Sequence, residues 1–305
     1  MGRIVRGLPV PAFAADHPRL AIEYLTHQEE LGCLRPEWRF AWMGDDGGLA
    51  ARVSYWGPPG RARPVVVDLV LTDGEAAPVA DLLAASLAEL SVEEIEYLAE
   101  RPPGDARSAR TEPPALEAVG FRQIATQLRL EHTGRVADVP PPEGVDVRSV
   151  REVGHDLLAP LIAAVHEGSA DRATREGDAA GELRMLRELD HDPAAWEIAF
   201  ERSTGQAVGF VLPALSGDGA PVIGFIGVAP RARGRGLGAF LLARGTASLR
   251  RHPSGPRVVA DVDDENRPML RAAARVGYVP FAARVHYRRA TSRAEARAGT
   301  RDGDP

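Results

Sequence analysis

Lysine is missing from this 305-residue chain, so all 37 of its Lys+Arg side chains are arginines. That excludes Schiff-base chemistry and a Walker A phosphate loop, which needs Gly-Lys followed by Ser or Thr. Cysteine is almost missing too. Cys33 stands alone, which leaves no disulfide framework and no cysteine metal site. No run of 18 apolar residues occurs, and the opening MGRIVRGLPVPAF has no long apolar stretch of the signal-peptide kind. A cytoplasmic protein with no membrane partner is therefore expected. The net charge of −6 gives no reason to expect a nucleic-acid partner. The eight histidines are scattered without ligand spacing, so no metal is expected.

The most informative segment is residues 221–239, PVIGFIGVAPRARGRGLGA. An apolar run ends at Val228. Arg231, Arg233 and Arg235 follow, interleaved with Gly234, Gly236 and Gly238, and then a helical pattern begins. A strand, a Gly-rich turn and a helix N-terminus together suit a pyrophosphate. Glycine lets the backbone approach the anion, the first helical N–H groups are unpaired, and the helix dipole favours negative charge. Gly234-x-Gly236-x-x-Ala239 also fits a dinucleotide fingerprint with Asp261 downstream. In that fold, however, the first glycine follows the strand almost at once. Here residues 229–233 intervene. A plain surface turn is a further reading, disfavoured because each glycine costs a helix start about 1 kcal/mol.

Arg233-x-x-Gly236-x-Gly238, placed just after Val228-Ala229-Pro230, resembles the acyl-CoA signature of the GNAT N-acyltransferase superfamily. The resemblance implies acetyl-CoA as co-substrate. It would be held by the amides of Arg233, Gly234, Arg235, Gly236, Leu237, Gly238 and Ala239, with the pantetheine along Ile226, Gly227 and Val228. Asn266, ahead of a helix that ends at Gly277, resembles the family's second coenzyme contact. It is equally an ordinary N-cap, and the two roles are compatible.

Residues 133–144 contain three consecutive prolines and read as a linker. On either side lies a weak repeat at an offset of 157: Pro36 with Pro193, Gly48 with Gly205, Pro64 with Pro221, and Gly120-Phe121 with Gly277-Tyr278. Both halves follow the order hairpin, strand, helix, strand, helix, strand, which is the order of the resembled family. The fold class expected is thus α/β (α+β), with two GNAT-like domains. Each would be a mixed, mostly antiparallel sheet flanked by helices. The domains would be 1–132 and 145–290, with a disordered polar tail at 291–305. The first domain begins late, its counterpart of 145–150 falling before Met1. Its loop at 72–78 has lost the arginines, and Asp73 and Glu75 would repel a pyrophosphate, so that domain is expected to be degenerate and to bind no coenzyme.

The resemblance implies acetyl transfer from acetyl-CoA to an amine by direct attack in a ternary complex. The acceptor would be a small molecule or a peptide N-terminus, and the protein a monomer or homodimer. Many family members carry a tyrosine four residues before the glycine that matches Gly277, as proton donor to the leaving thiolate. Here that position is Ala273. Tyr287 is the alternative donor, with a core tyrosine as the competing reading. Asp261 is the candidate base, with a solvated strand-end acid as the competing reading. The acidic stretch 167–178 could attract a cationic amine or simply be solvated. The missing tyrosine and base also leave open a non-catalytic acyl-CoA-binding regulatory protein.

Overall fold

The computed structural model describes residues 2–15, 22–72, 76–102, 108–216 and 219–290. The expected tail at 291–305 and the residues Asp73 and Glu75 lie outside them. The chain divides into two compact units, Met1–Ala125 with Arg284–Pro305, and Thr126–Ala283. The units are therefore not the contiguous stretches 1–132 and 145–290. The chain passes from one unit to the other inside two long strands, and the first unit takes in residues from the far end of the sequence while the second is one contiguous stretch.

In the first unit, β1 (Arg3–Arg6), β2 (Arg39–Met43), β3 (Leu49–Trp56), β4 (Val66–Thr72) and β5 (Ile95–Arg101) lie in that order. The first three junctions are antiparallel and β4–β5 is parallel. Helices α1 (Val10–Ala14) and α2 (Ile22–Glu30) follow β1, α3 (Ala76–Glu89) joins β4 to β5, and α4 (Ser108–Ala118) follows β5. The β1 strand corrects the expectation of a missing start. It takes the place that β7 takes in the second unit. The constant offset hid it, because fewer residues separate β1 from the hairpin (7–38) than separate β7 from its hairpin (150–196). The apolar residues form one core: Val79, Leu82, Leu83 and Leu87 of α3 cluster with Phe40, Val53 and Tyr55.

In the second unit, β6 (Phe121–His132) contributes its residues from Thr126 onward. It is followed by β7 (Val145–Ser149), α5 (Val150–Val153), α6 (Leu158–His166), α7 (Arg172–Glu176) and α8 (Ala179–Glu188). Then come β8 (Glu197–Glu201), β9 (Ala207–Leu215), β10 (Pro221–Val228), α9 (Leu237–Leu249), β11 (Val258–Asp263), α10 (Arg267–Val276) and β12 (Val279–Arg289). The spatial order is β6-β11-β10-β9-β8-β7, antiparallel throughout except for β10–β11. Both units thus carry the same strand pattern, which accounts for the sequence repeat. One core lies between the sheet and α9–α10, with Leu241, Leu242, Ala260, Val262 and Val276. A second lies beneath α6 and α8, with Leu161, Ile162, Leu186, Trp196 and Phe210.

The proline-rich segment 133–144 belongs to the second unit. It is anchored rather than free. Val139 is buried in the α9-side core, and the Glu143 carbonyl accepts a hydrogen bond from Arg235. Three prolines stiffen the backbone, and here the stiffness carries the chain across the unit's own surface.

Candidate active site

The site begins where β10 and β11 separate. Their parallel ladder registers Val222 with Val259. From there β10 stays with β9 as far as Val228↔Gly209, and β11 stays with β6 as far as Asp263↔Gln127. A register shift between Ile223 and Phe225 accompanies the parting; such bulges bend a strand and free its edge. The Ala229 N–H donates to the Val208 carbonyl on the β9 side, at 2.9 Å. Successive strand residues direct their N–H groups to opposite edges, so the Val228 N–H faces the opened edge. The opening can therefore accept an extended, amide-bearing chain and present an N–H to a carbonyl oxygen.

Next comes the Gly-rich loop. Gly234 and Gly236 have φ of +78° and +82°, the left-handed region that costs other L-residues about 1–2 kcal/mol. A Cβ on either would meet nothing within 4 Å. Backbone conformation, not crowding, selects glycine here, and the space beside the loop is open. Gly236 caps α9 without any side-chain hydrogen bond. The N–H groups of the first turn are thus left for an external acceptor.

The side chains of the three loop arginines bind groups of the protein itself. Arg231 donates to the Ala207 carbonyl. Arg235 pairs with Glu201 at 3.1 Å and donates to the Glu143 carbonyl. Arg233 donates to three carbonyls: Val228 at 3.0 Å, Gly168 at 2.8 Å and Val165 at 2.9 Å. Its planar fork thereby ties the end of α6 to the end of β10. Arg231 and Arg233 bond to carbonyls, which leave their positive charge in place, and the oriented backbone amides of the first turn add to it. Sequence reasoning missed this clamp, because its partners are backbone groups that carry no residue-type signal.

The α6 side reaches the strand closely. A Cβ on Gly227 would lie 2.6 Å from Val165 Cγ1 and 2.9 Å from Phe210 Cζ. At Gly224 it would lie 3.0 Å from Leu186 Cδ2 of α8. Two glycines of β10 thus admit two helices onto the sheet. The same approach brings together His166 and Glu182, a pair the sequence reading passed over. His166 Nε2 and Glu182 Oε2 are 3.0 Å apart. Burial is the largest influence on Glu182 and raises its carboxyl above the usual range; the His166 bond opposes it.

The remaining expected residues divide. Asn266 caps α10, its Oδ1 accepting from the Met269 N–H at 3.2 Å, which leaves its amide NH2 as the group that could donate to a ligand. Ala273 is a core residue, 1% exposed. Tyr287 is corrected: it belongs to the first unit's core, 2% exposed, stacked on Tyr97 and hydrogen-bonded to Arg101. Burial raises its phenol above the ordinary value. The alternation of β12 carries it into that core, so it does not join the separated strands. Asp261 lies opposite Arg129 in register and pairs with its Nε at 3.2 Å. Within the acidic stretch, residues 172–176 form α7, capped by Asp171. Among the described residues no group of three or more His, Cys, Asp or Glu could hold a metal ion, and no helix is long and apolar enough to cross a membrane.

Asp261→Asn is expected to change stability by less than about 0.5 kcal/mol, since a half-exposed ion pair contributes little. Turnover should be unaffected. Thermal melting and a thiol-release assay check both; a large loss of rate would return Asp261 to the role of base.

Residues 164–278 match the acetyltransferase (GNAT) family. Among curated relatives, the mycothiol acetyltransferase of Salinispora arenicola is 31% identical over 177 residues, 56% of this chain and 57% of that protein. The mycothiol acetyltransferase of Mycobacterium leprae is 31% identical over 197 residues, 60% and 62% of the two chains. The chain thus spans somewhat more than half the length of the curated relatives it matches. Among solved structures, a GCN5-related N-acetyltransferase from Sphaerobacter thermophilus superposes with a TM-score of 0.66 at 19% identity, over 95% of each chain. A tandem GNAT protein from the clavulanic acid biosynthesis pathway gives a TM-score of 0.54 at 16% identity, over 94% of this chain and 98% of that one. These two show a shared fold.

Proposed function

We propose that this protein, whose residues 164–278 match the GNAT acetyltransferase family, transfers an acetyl group from acetyl-CoA to a small-molecule amine. The observation that carries the reading is the joint placement of the parted β10–β11 edge and the uncapped α9 N-terminus, which the loop of Gly234 and Gly236 connects. The amides of residues 233–239 hold the pyrophosphate, and the strand end at Ile226, Gly227 and Val228 holds the pantetheine. Asn266 donates its amide to the same arm. The acetyl thioester supplies the activated carbonyl. The Val228 N–H polarises that carbonyl where charge develops, and the enzyme otherwise contributes proximity. Relatives named mycothiol acetyltransferase favour a small molecule over a peptide N-terminus as acceptor.

Binding is confined to the second unit. Calorimetry is expected to give one acetyl-CoA per chain, and thiol release in the presence of an amine to follow acetyl-CoA consumption. A stoichiometry near two would overturn the assignment of the first unit as degenerate. Binding without thiol release from any amine would favour a non-catalytic acyl-CoA sensor.

A further inference from the structure

Three glutamates of the second unit are matched to arginine. Glu197 pairs with Arg244, Glu201 with Arg235 and Glu131 with Arg257. Glu182 differs: its hydrogen-bond partner is the ring of His166, at 3.0 Å. A guanidinium is a permanent countercharge. An imidazole orients a carboxylate through one ring nitrogen and one carboxylate oxygen, and leaves the other oxygen to accept from a ligand. In a protein with so many arginines, a staple between α6 and α8 did not require histidine. The choice leaves a carboxylate able to accept a cation.

Its position suits that cation. His166 follows Val165, which packs on Gly227, and Glu182 lies one turn before Leu186, which packs on Gly224. The pair therefore lies over the stretch of β10 that leads to Val228, on the face opposite α9. Both side chains keep access to solvent, at 12% and 21% exposure. Asp171 and Asp178, the caps of α7 and α8, face Glu182 and add negative potential. They also reinforce the upward push of burial on its carboxyl, the direction a proton acceptor near neutral pH needs. The other acids nearby are committed. Asp261 pairs with Arg129, and Asp263 accepts from the Arg172 and Glu265 amides.

We infer that Glu182, oriented by His166, receives the ammonium group of the acceptor and removes its proton. This rests on the acetyltransferase reading above and names the group that the sequence does not reveal. Glu182 takes one proton from the ammonium. The freed lone pair forms the C–N bond at the thioester carbonyl carbon, the C–S bond breaks, and the departing thiolate takes the second N–H proton. The products are an amide and a thiol, and Glu182 returns its proton to solvent. His166 is a positioning residue.

The test is thiol release from acetyl-CoA with glucosamine, spermidine, benzylamine and alanine amide as probe acceptors, run beside calorimetry with acetyl-CoA alone. Glu182→Gln is expected to lower kcat/KM roughly 10²–10⁴-fold, the usual contribution of a general base, with acetyl-CoA affinity kept as proof of folding. The acidic limb of the wild-type pH profile should vanish in that variant. Glu182→Asp should recover part of the rate. His166→Phe should move the limb to higher pH, because the His166 bond holds the Glu182 carboxyl down. Wild-type turnover with an unaltered Glu182→Gln profile would overturn the role of Glu182 and leave the acetyltransferase reading standing. A wild-type protein that binds acetyl-CoA and acetylates none of these amines would overturn both.

Discussion

Gly236→Asp is expected to weaken acetyl-CoA binding by roughly 10²–10⁴-fold while the protein stays folded. Aspartate tolerates the left-handed backbone better than most residues, and its carboxylate can bond to the uncapped first-turn amides of α9. The helix gains a cap and the ligand loses its donors. Charge-assisted hydrogen bonds contribute about 1.5–3 kcal/mol each, so the loss of two accounts for the stated range. Repulsion between carboxylate and pyrophosphate acts in the same direction and is screened by salt. Gly236→Ala separates the effects: it carries the backbone strain without the charge, and its loss should be smaller. Calorimetric titration of both variants checks this. Equal affinity in Gly236→Asp and wild type would remove the pyrophosphate from this loop.

Gly227→Val is expected to lower the stability of the second unit by about 3 kcal/mol, within the range for overpacking a filled core. At roughly 2–4 °C per kcal/mol for a unit of this size, the melting transition should fall by roughly 6–12 °C. Even a bare Cβ would lie 2.6 Å from Val165 Cγ1, and Phe210 closes the other side. Both neighbours are buried, so relief requires α6 to move off β10. That motion would stretch the Arg233 bonds to the Val165 and Gly168 carbonyls. Acetyl transfer should therefore suffer beyond the loss of stability. Gly227→Ala combined with Val165→Ala should be less damaging than the sum of the single changes, the coupling expected of residues in contact. An unchanged melting transition in Gly227→Val would show that α6 does not rest on this strand.

The coenzyme loop was legible in the residues because its requirements are local. Left-handed backbone at Gly234 and Gly236, and a helix start without a capping side chain, are conditions on consecutive residues. They leave a pattern that can be read in one dimension. The alternation of elements was legible for the same reason: hydrophobic periods of two and of 3.6 residues are local.

Tertiary structure decided the rest. Which unit a strand completes depends on pairing across more than a hundred residues, so the residues of β12 could not reveal that Tyr287 joins the first unit's core. The offset of the repeat concealed β1, because loop length is weakly constrained. The carbonyls that hold the loop arginines carry no residue-type signal and are not visible in a sequence. Likewise His166 and Glu182 belong to different helices, and only the close approach those helices make at Gly224 and Gly227 brings their side chains to 3.0 Å. Local geometry is written in neighbouring residues, whereas the meeting of side chains depends on how the elements pack.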